Sequence, residues 1–299
     1  MAGPGSPGSR ATPAGTASPP TGAMRGSTAR RVVDRRTVLA VRDGTVSRRP
    51  DALAGEEPME IRVNGTPISV TMRTPGNDFE LALGFCLTEG LVGDPEAVRA
   101  IRYCVGDEAQ EYNVVDVHLT DLTPVSESLR RNVYTTSSCG LCGTASIEAV
   151  RKTVPDVSQD PLRLTPEVLA RFPVQLRAAQ RVFERTGGLH AAGAFDADGE
   201  LICLREDVGR HNAVDKVIGW AATARRLPLA GDTLMVSGRV AFEIVQKALV
   251  AGFPLVAAVS APTSLAVELA ESAGMTLVGF LRGTSMNVYC GAQRVTIDR

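Results

Sequence analysis

Alternation of apolar and polar positions marks out the first third of the chain. Met59-Glu60-Ile61-Arg62-Val63 alternates with the period of a half-buried strand. Asn64-Gly65 follows, the residue pair best suited to the positive φ angles of a tight hairpin turn. Ile68-Ser69-Val70-Thr71-Met72 then alternates back. Thr37 to Val41 and Asn113 to Leu119 read as further strands. Thr74-Pro75-Gly76-Asn77 opens a helix that carries Phe79, Leu81, Leu83 and Phe85 and stops near Glu89-Gly90. Together these predict a small α+β roll over residues 32–125. Cys86 and Cys104 lie in apolar company there and read as packed thiols.

Farther on, Thr165-Pro166-Glu167 is a helix start, with proline in the first turn and an acid near the positive end. The pattern carries that helix toward Phe183. Ala191 to Phe195 and Leu201 to Leu204 read as two strands joined at Asp198-Gly199. Three short apolar runs then alternate with helical segments. The strands are Thr233 to Val236, Leu255 to Val259 and Thr276 to Leu281; the helices are Val240 to Val250 and Ser264 to Ser272, with Gly274 as a stop. This β-α-β-α-β order predicts a parallel sheet with right-handed crossovers. The fold expected is α/β (α+β overall): a larger domain over 126–299, with a mainly parallel sheet between helices, preceded by the roll.

Residues 1–31 hold almost nothing to bury and read as a disordered, dispensable tail. The remaining composition is that of a globular chain, 44% hydrophobic over 299 residues. A formal net charge of -1 is not that of an electrostatic nucleic-acid binder. No apolar run approaches the ~18 residues of a membrane-spanning helix. Six cysteines are too sparse for a disulfide scaffold and fit a reducing, cytoplasmic setting.

Two of those cysteines stand three residues apart in Thr135-Thr136-Ser137-Ser138-Cys139-Gly140-Leu141-Cys142-Gly143-Thr144. A helix is predicted from Thr144 or Ala145 through Ile147 and Val150, with Thr144 as its N-cap. The positive end of a helix favours the thiolate, the reactive form of cysteine. A structural zinc site would need a second close pair, and there is none. A zinc deaminase would offer His-x-Glu and Pro-Cys-x-x-Cys. None of His118, His190 and His211 has Glu two residues on, and Ser138 stands where Pro would. A thioredoxin-like redox site would lie beside a βαβ unit. Sulfur transfer through a persulfide needs only a reachable thiolate. Redox chemistry and sulfur transfer both stay open on these grounds, and metal binding trails them.

The three strand ends of the last third carry Ser237, Gly238 and Arg239; Ser260 and Thr263; and Arg282, Gly283, Thr284 and Ser285. Ligands bind at the carboxyl ends of parallel strands. Arginine and helix N-termini at converging turns make an anion site, most often for phosphate. The plainer alternative is ordinary loop chemistry. Arg205 to Lys216 is a second constellation. His211 can take a proton or steady a thiolate, and Arg210 and Lys216 can bind phosphate. The alternative is a solvated helix start with internal ion pairs. His190, after Gly187-Gly188-Leu189, reads first as a structural histidine.

One ordered set of residues resembles the FdhD family, accessory sulfurtransferases of formate dehydrogenase. It runs from Asn64-Gly65, Thr74-Pro75, Asp78-Phe79, Gly84-Phe85 and Glu89-Gly90 to Ser138 through Gly143. It continues with Thr186 through Ala191, Glu206 through Lys216, Ser237-Gly238-Arg239, Ser260 through Ser264, Gly279-Phe280 and Arg282. The resemblance spans Arg36 to Tyr289. It implies a cytidine-deaminase-like larger domain without catalytic zinc. It implies a carrier that takes sulfur from a cysteine desulfurase as a persulfide. That sulfur would pass to the molybdenum or tungsten of bis-molybdopterin guanine dinucleotide, before the cofactor enters the formate dehydrogenase apoenzyme. Cys139 would be the persulfide carrier and Cys142 a second sulfur site. Phe280, Leu281, Arg282, Gly283, Thr284 and Ser285 would bind the guanine dinucleotide, and the assembly would be a homodimer. A cofactor-binding chaperone without sulfur chemistry is the alternative of another class.

Overall fold

The computed structural model describes residues 1, 3, 32–104, 112–121 and 154–296. The cysteine turn with Cys139 and Cys142, the helix predicted after it, and the domain boundary placed after residue 125 lie outside the described residues, as does nearly all of the tail.

Strands β1 (Val33–Arg42) and β2 (Thr45–Ala54) form an antiparallel hairpin about Asp43 and Gly44, whose φ angles are 50° and 79°. Strands β3 (Glu57–Val63) and β4 (Thr66–Arg73) turn about Asn64 and Gly65 in the same way, with φ of 48° and 76°. The second hairpin matches the sequence reading. The first escapes it because β2 is mostly polar and exposed on both faces, leaving no period to detect. Helix α1 (Asp78–Thr88) follows, then β5 (Val98–Tyr103) and β6 (Val114–Leu119). These complete a four-stranded sheet of order β4-β3-β6-β5. Its buried face, Met59, Ile61, Val63, Ile68, Val115 and Val117, shares one core with Leu81, Ala82 and Cys86 of α1.

The rest builds the larger layer. Its elements are α2 (Pro166–Ala179), α3 (Arg181–Thr186), β7 (His190–Phe195), β8 (Leu201–Asp207) and α4 (Arg210–Thr223). They continue with β9 (Thr233–Val236), α5 (Phe242–Val250), β10 (Leu255–Ala258), α6 (Ser264–Ser272), β11 (Thr276–Arg282) and β12 (Ser285–Cys290). The six-stranded sheet has the order β12-β11-β10-β9-β7-β8. Burial has period two with both faces covered. Ala192, Ala194, Leu234, Val236, Val256, Ala258 and Leu277 join the core shared with α1, α4, α5 and α6. Ala191, Phe195, Met235, Leu255, Ala257 and Val278 pack with Leu169, Phe172 and Leu176 of α2. Strands covered on both faces read as unbroken apolar runs, which is why they were legible as strands.

Three sequence expectations change. β9, β10 and β11 are parallel, but β9–β7, β7–β8 and β11–β12 pair antiparallel, so the sheet is mixed rather than mainly parallel. The helix from Thr165 breaks at Gln180, where ψ is 77°. The Glu206 carboxylate accepts from the amides of Val182 (3.0 Å) and Phe183 (2.7 Å), capping a new short helix there. Third, Arg282 to Ser285 is a β-hairpin turn, since Arg282 and Ser285 are paired across β11 and β12.

Candidate functional site

Strand direction brings the predicted segments to one edge of the six-stranded sheet. His190, at the start of β7, pairs with Asp207, at the end of β8. Ala192 pairs with Val236 at the end of β9, and Ser237 N donates to Ala191 O at 2.9 Å. Ala258, the last residue of β10, pairs with Val236. Phe280 N donates to Ser260 O at 3.1 Å, which joins β11 to the loop after β10. The loops after β9 and β10 are stitched by a bridge between Val240 and Pro262, and Thr263 N donates to Val240 O at 2.9 Å. That bridge is why α5 begins at Phe242 and not at Val240. Ser237, Gly238, Arg239, Ser260, Thr263, His190, Arg210, His211 and Phe280 to Ser285 therefore share an edge.

Side by side on it are His190, Arg210, Ser237 and Gly238. Ser237 Oγ accepts from Ala191 N at 2.8 Å. A methyl group on Gly238 would meet His190 Nδ1 at 3.3 Å and Arg210 Cδ at 3.6 Å, so the glycine backbone lies against both side chains. A hollow of about 630 Å³ opens here, lined by Leu189, His190, Val208, Ser237 and Val259 on the sheet side. Pro173, Arg177 and Phe183 of α2 and α3 form its other wall, with the Arg177 guanidinium 4.4 Å from the Phe183 ring centre. Sequence reasoning missed this wall, because nothing local ties residues 173–183 to the strand ends.

Burial pushes the His190 imidazole pKa down, and Arg210 adds to the effect against Asp207. His211 falls further, to about 3, through burial first and then the positive charges of Arg210 and Lys247. Both rings are therefore neutral at pH 7, and the positive charge of the edge belongs to its arginines. Arg210 Nε and His211 Nε2 are buried without a hydrogen-bond partner among the described residues.

Phe280 to Ser285 lie at the β11–β12 end. Phe280 is 40% exposed and sits at φ 52° within a β-bulge. A bulky residue in the left-handed region is an outlier. Leu281 is buried, whereas Arg282, Gly283, Thr284 and Ser285 are exposed. Arg282 Nε donates to Val259 O at 3.3 Å. Phe280, Thr284 and Ser285 line a second hollow, of about 420 Å³, with Pro166 of α2. A hollow of about 730 Å³ between Leu83, Ile101 and Leu227 contains none of the candidate residues.

The charges from Arg205 to Lys216 have other duties. Lys216 Nζ lies 2.7 Å from the Asp207 carboxylate with both groups buried, so Lys216 is not available to a phosphate. Arg205 holds Glu80 through two nitrogens, at 2.5 and 2.6 Å. The helix start is thus half-buried rather than solvated, with an internal ion pair; Arg210 lies against Gly238 on the edge, and His211 faces Arg210, Lys247 and Glu89.

Four cysteines are described, all as free thiols. Burial raises the pKa of each: Cys203 to about 12, and Cys86, Cys104 and Cys290 in the same direction. Among the described residues no group of three or more His, Cys, Asp or Glu is placed to hold a metal ion. No described helix is long and apolar enough to cross a membrane.

A family model described as FdhD/NarQ matches residues 54–296. A protein from Streptomyces coelicolor named sulfur carrier protein FdhD is 58% identical over 273 residues, covering 89% of this chain and 97% of its own. One of the same name from Sulfolobus acidocaldarius is 44% identical over 260 residues, covering 87% and 97%. Among solved structures, a Desulfotalea psychrophila protein described as a formate dehydrogenase accessory protein shares the fold. Its TM-score is 0.71 at 23% identity, over 89% of this chain and 100% of that one.

Proposed function

This chain belongs to the FdhD/NarQ family, and on that premise we propose that it carries sulfur for the maturation of formate dehydrogenase. The observation that carries the reading is the family match, whose relatives are named sulfur carrier proteins. Sulfur acceptance needs a reachable thiolate, and burial pushes the four described cysteines away from that form. The Cys139-Gly140-Leu141-Cys142 pair is the one we assign to the task. The Cys139 thiolate attacks the outer sulfur of a desulfurase persulfide. One S–S bond forms, the donor S–S bond breaks, and the desulfurase cysteine leaves as its thiolate. Cys142 is the second sulfur site.

The sulfur is destined for the metal of bis-molybdopterin guanine dinucleotide, which this chain handles as substrate. The sheet edge supports that part of the reading. Arg210, Arg239 and Arg282 supply positive charge to a phosphate-rich ligand, and Ser237, Ser260, Thr263, Thr284 and Ser285 supply hydroxyls. Neutral His190 and His211 can donate or accept without adding charge. Kinship of the larger layer to cytidine deaminases, homodimerisation, and delivery in the cytoplasm to the formate dehydrogenase apoenzyme belong to the same proposal.

The test is incubation with a cysteine desulfurase and cysteine, followed by mass spectrometry of the peptides. Sulfane sulfur on Cys139, and lost formate dehydrogenase maturation in Cys139→Ala, are the expected results. Full maturation by Cys139→Ala would leave a cofactor chaperone that carries no sulfur.

A further inference from the structure

The end of β4 and the start of α4 are sewn together far from each other in sequence. Asp207 is fully buried, and its carboxylate accepts from Thr74 N at 3.1 Å, Gly209 N at 2.8 Å and Asn212 Nδ2 at 3.0 Å, besides its ion pair with Lys216. Thr74 answers in the other direction: its Oγ1 accepts from Val208 N at 3.1 Å, and its carbonyl accepts from Lys216 Nζ at 2.9 Å. Asn212 Nδ2 also donates to Met72 O at 2.8 Å. The segment so fastened is the one that borders the site. Val208 lines the 630 Å³ hollow, Arg210 lies against Gly238, and Asp207 is the register partner of His190.

We propose that Thr74 and Asn212 are positioning residues for the ligand-binding edge, through which the N-terminal roll sets the placement of Val208, Arg210 and His190. This rests on the nucleotide site proposed above. Neither residue faces the hollow; they act by fixing the turn that does. The Val208 amide is part-buried, and without the Thr74 hydroxyl it is left with an acceptor to find, so the turn that carries Val208 resettles.

The experiment compares wild type, Thr74→Val, Thr74→Ser and Asn212→Ala. It measures the affinity for guanosine diphosphate, persulfide loading of Cys139 and the thermal midpoint. Thr74→Val and Asn212→Ala should each weaken guanosine diphosphate binding about tenfold. Thr74→Ser, which keeps the hydroxyl, should stay close to wild type. Loading of Cys139 should be the same in all four. Equal affinities throughout would overturn the proposal. So would losses of affinity and loading that fall together with the thermal midpoint, the mark of a merely structural role. A wild-type protein that binds no guanosine diphosphate would remove the nucleotide site as well, which separates that failure from this one.

Discussion

A methyl group placed on Gly219 would lie 1.8 Å from the carbonyl oxygen of Glu80, and one on Gly84 would lie 1.8 Å from that of Asp215. Helices α1 and α4 thus cross backbone on backbone, and each supplies the glycine that admits the other. Alanine is favoured over glycine inside a helix by about 1 kcal/mol. Here that preference loses, because the opposing atoms are main-chain oxygens that no rotamer change can move. Gly84→Ala and Gly219→Ala should each lower stability by about 1–3 kcal/mol or more, the range for overpacking. Urea denaturation reads this directly. A variant as stable as wild type would mean that the helices can part without cost.

The pair Asp207 and Lys216 invites a different test. Both side chains are buried, at 0% and 1% exposure. Removing one partner strands the other charge, at a cost of about 3–5 kcal/mol. Asp207→Asn should therefore destabilise by that order. Adding Lys216→Met removes the stranded ammonium and should restore at least half of the loss. Chemical denaturation of the three proteins gives the comparison; a double variant no better than the single would show that hydrogen bonding to Thr74 and Gly209, not charge, dominates.

His211 gives a pH dependence with a definite sign. Its folded pKa is depressed to about 3 from an ordinary value of 6.5. Between these values the unfolded chain binds more protons than the folded one, so stability rises with pH across the window and falls on acidification. The loss between pH 7 and pH 5 should be about 2 kcal/mol from this group. Glu89 faces the ring with the opposite sign, and Arg210, Lys247 and His190 add to the depression. Replacement by Gln removes the titration, so the stability of His211→Gln should fall less between those pH values. Parallel pH profiles would place the imidazole in solvent.

Much of this architecture was legible locally, because local chemistry dictates it. Asn64-Gly65 forced a hairpin, Thr165-Pro166 a helix start, and Gly274, at φ 67°, ended α6 where expected. β12 is hidden in the sequence because Arg282 to Ser285 carries residues typical of a ligand site over what is a hairpin turn. The break at Gln180 depends on a carboxylate 26 positions away, at Glu206, and no periodicity reports that. The candidate edge was half legible. Residue types at Ser237, Ser260 and Arg282 flagged three strand ends, but strand order alone put His190 and Arg210 beside them. Lys216 looked like a phosphate ligand because its partner Asp207 lies nine residues upstream on another element.

Phe280 combines strain with exposure. A left-handed conformation costs a side-chain-bearing residue about 1–2 kcal/mol, and glycine almost nothing. Phe280 N donates to Ser260 O and part of the ring is covered, but 40% of the residue stays exposed, and strained residues cluster where a ligand is held. The residue sits at φ 52° on the lip of the hollow lined by Thr284 and Ser285, and under the proposed nucleotide reading its ring would stack on the base. In Phe280→Gly, relief of the left-handed strain and loss of the ring's covered part oppose each other, so stability should change by no more than about 1 kcal/mol in either direction. The substitution should weaken guanosine diphosphate binding by about 1–3 kcal/mol, the worth of one base–aromatic stack. Phe280→Tyr keeps the ring and should bind as wild type does. Calorimetric titration of the three proteins, with their thermal midpoints, separates the two effects. Binding by Phe280→Gly as tight as wild type would show that the bulge serves the β11–β12 hairpin and not a ligand.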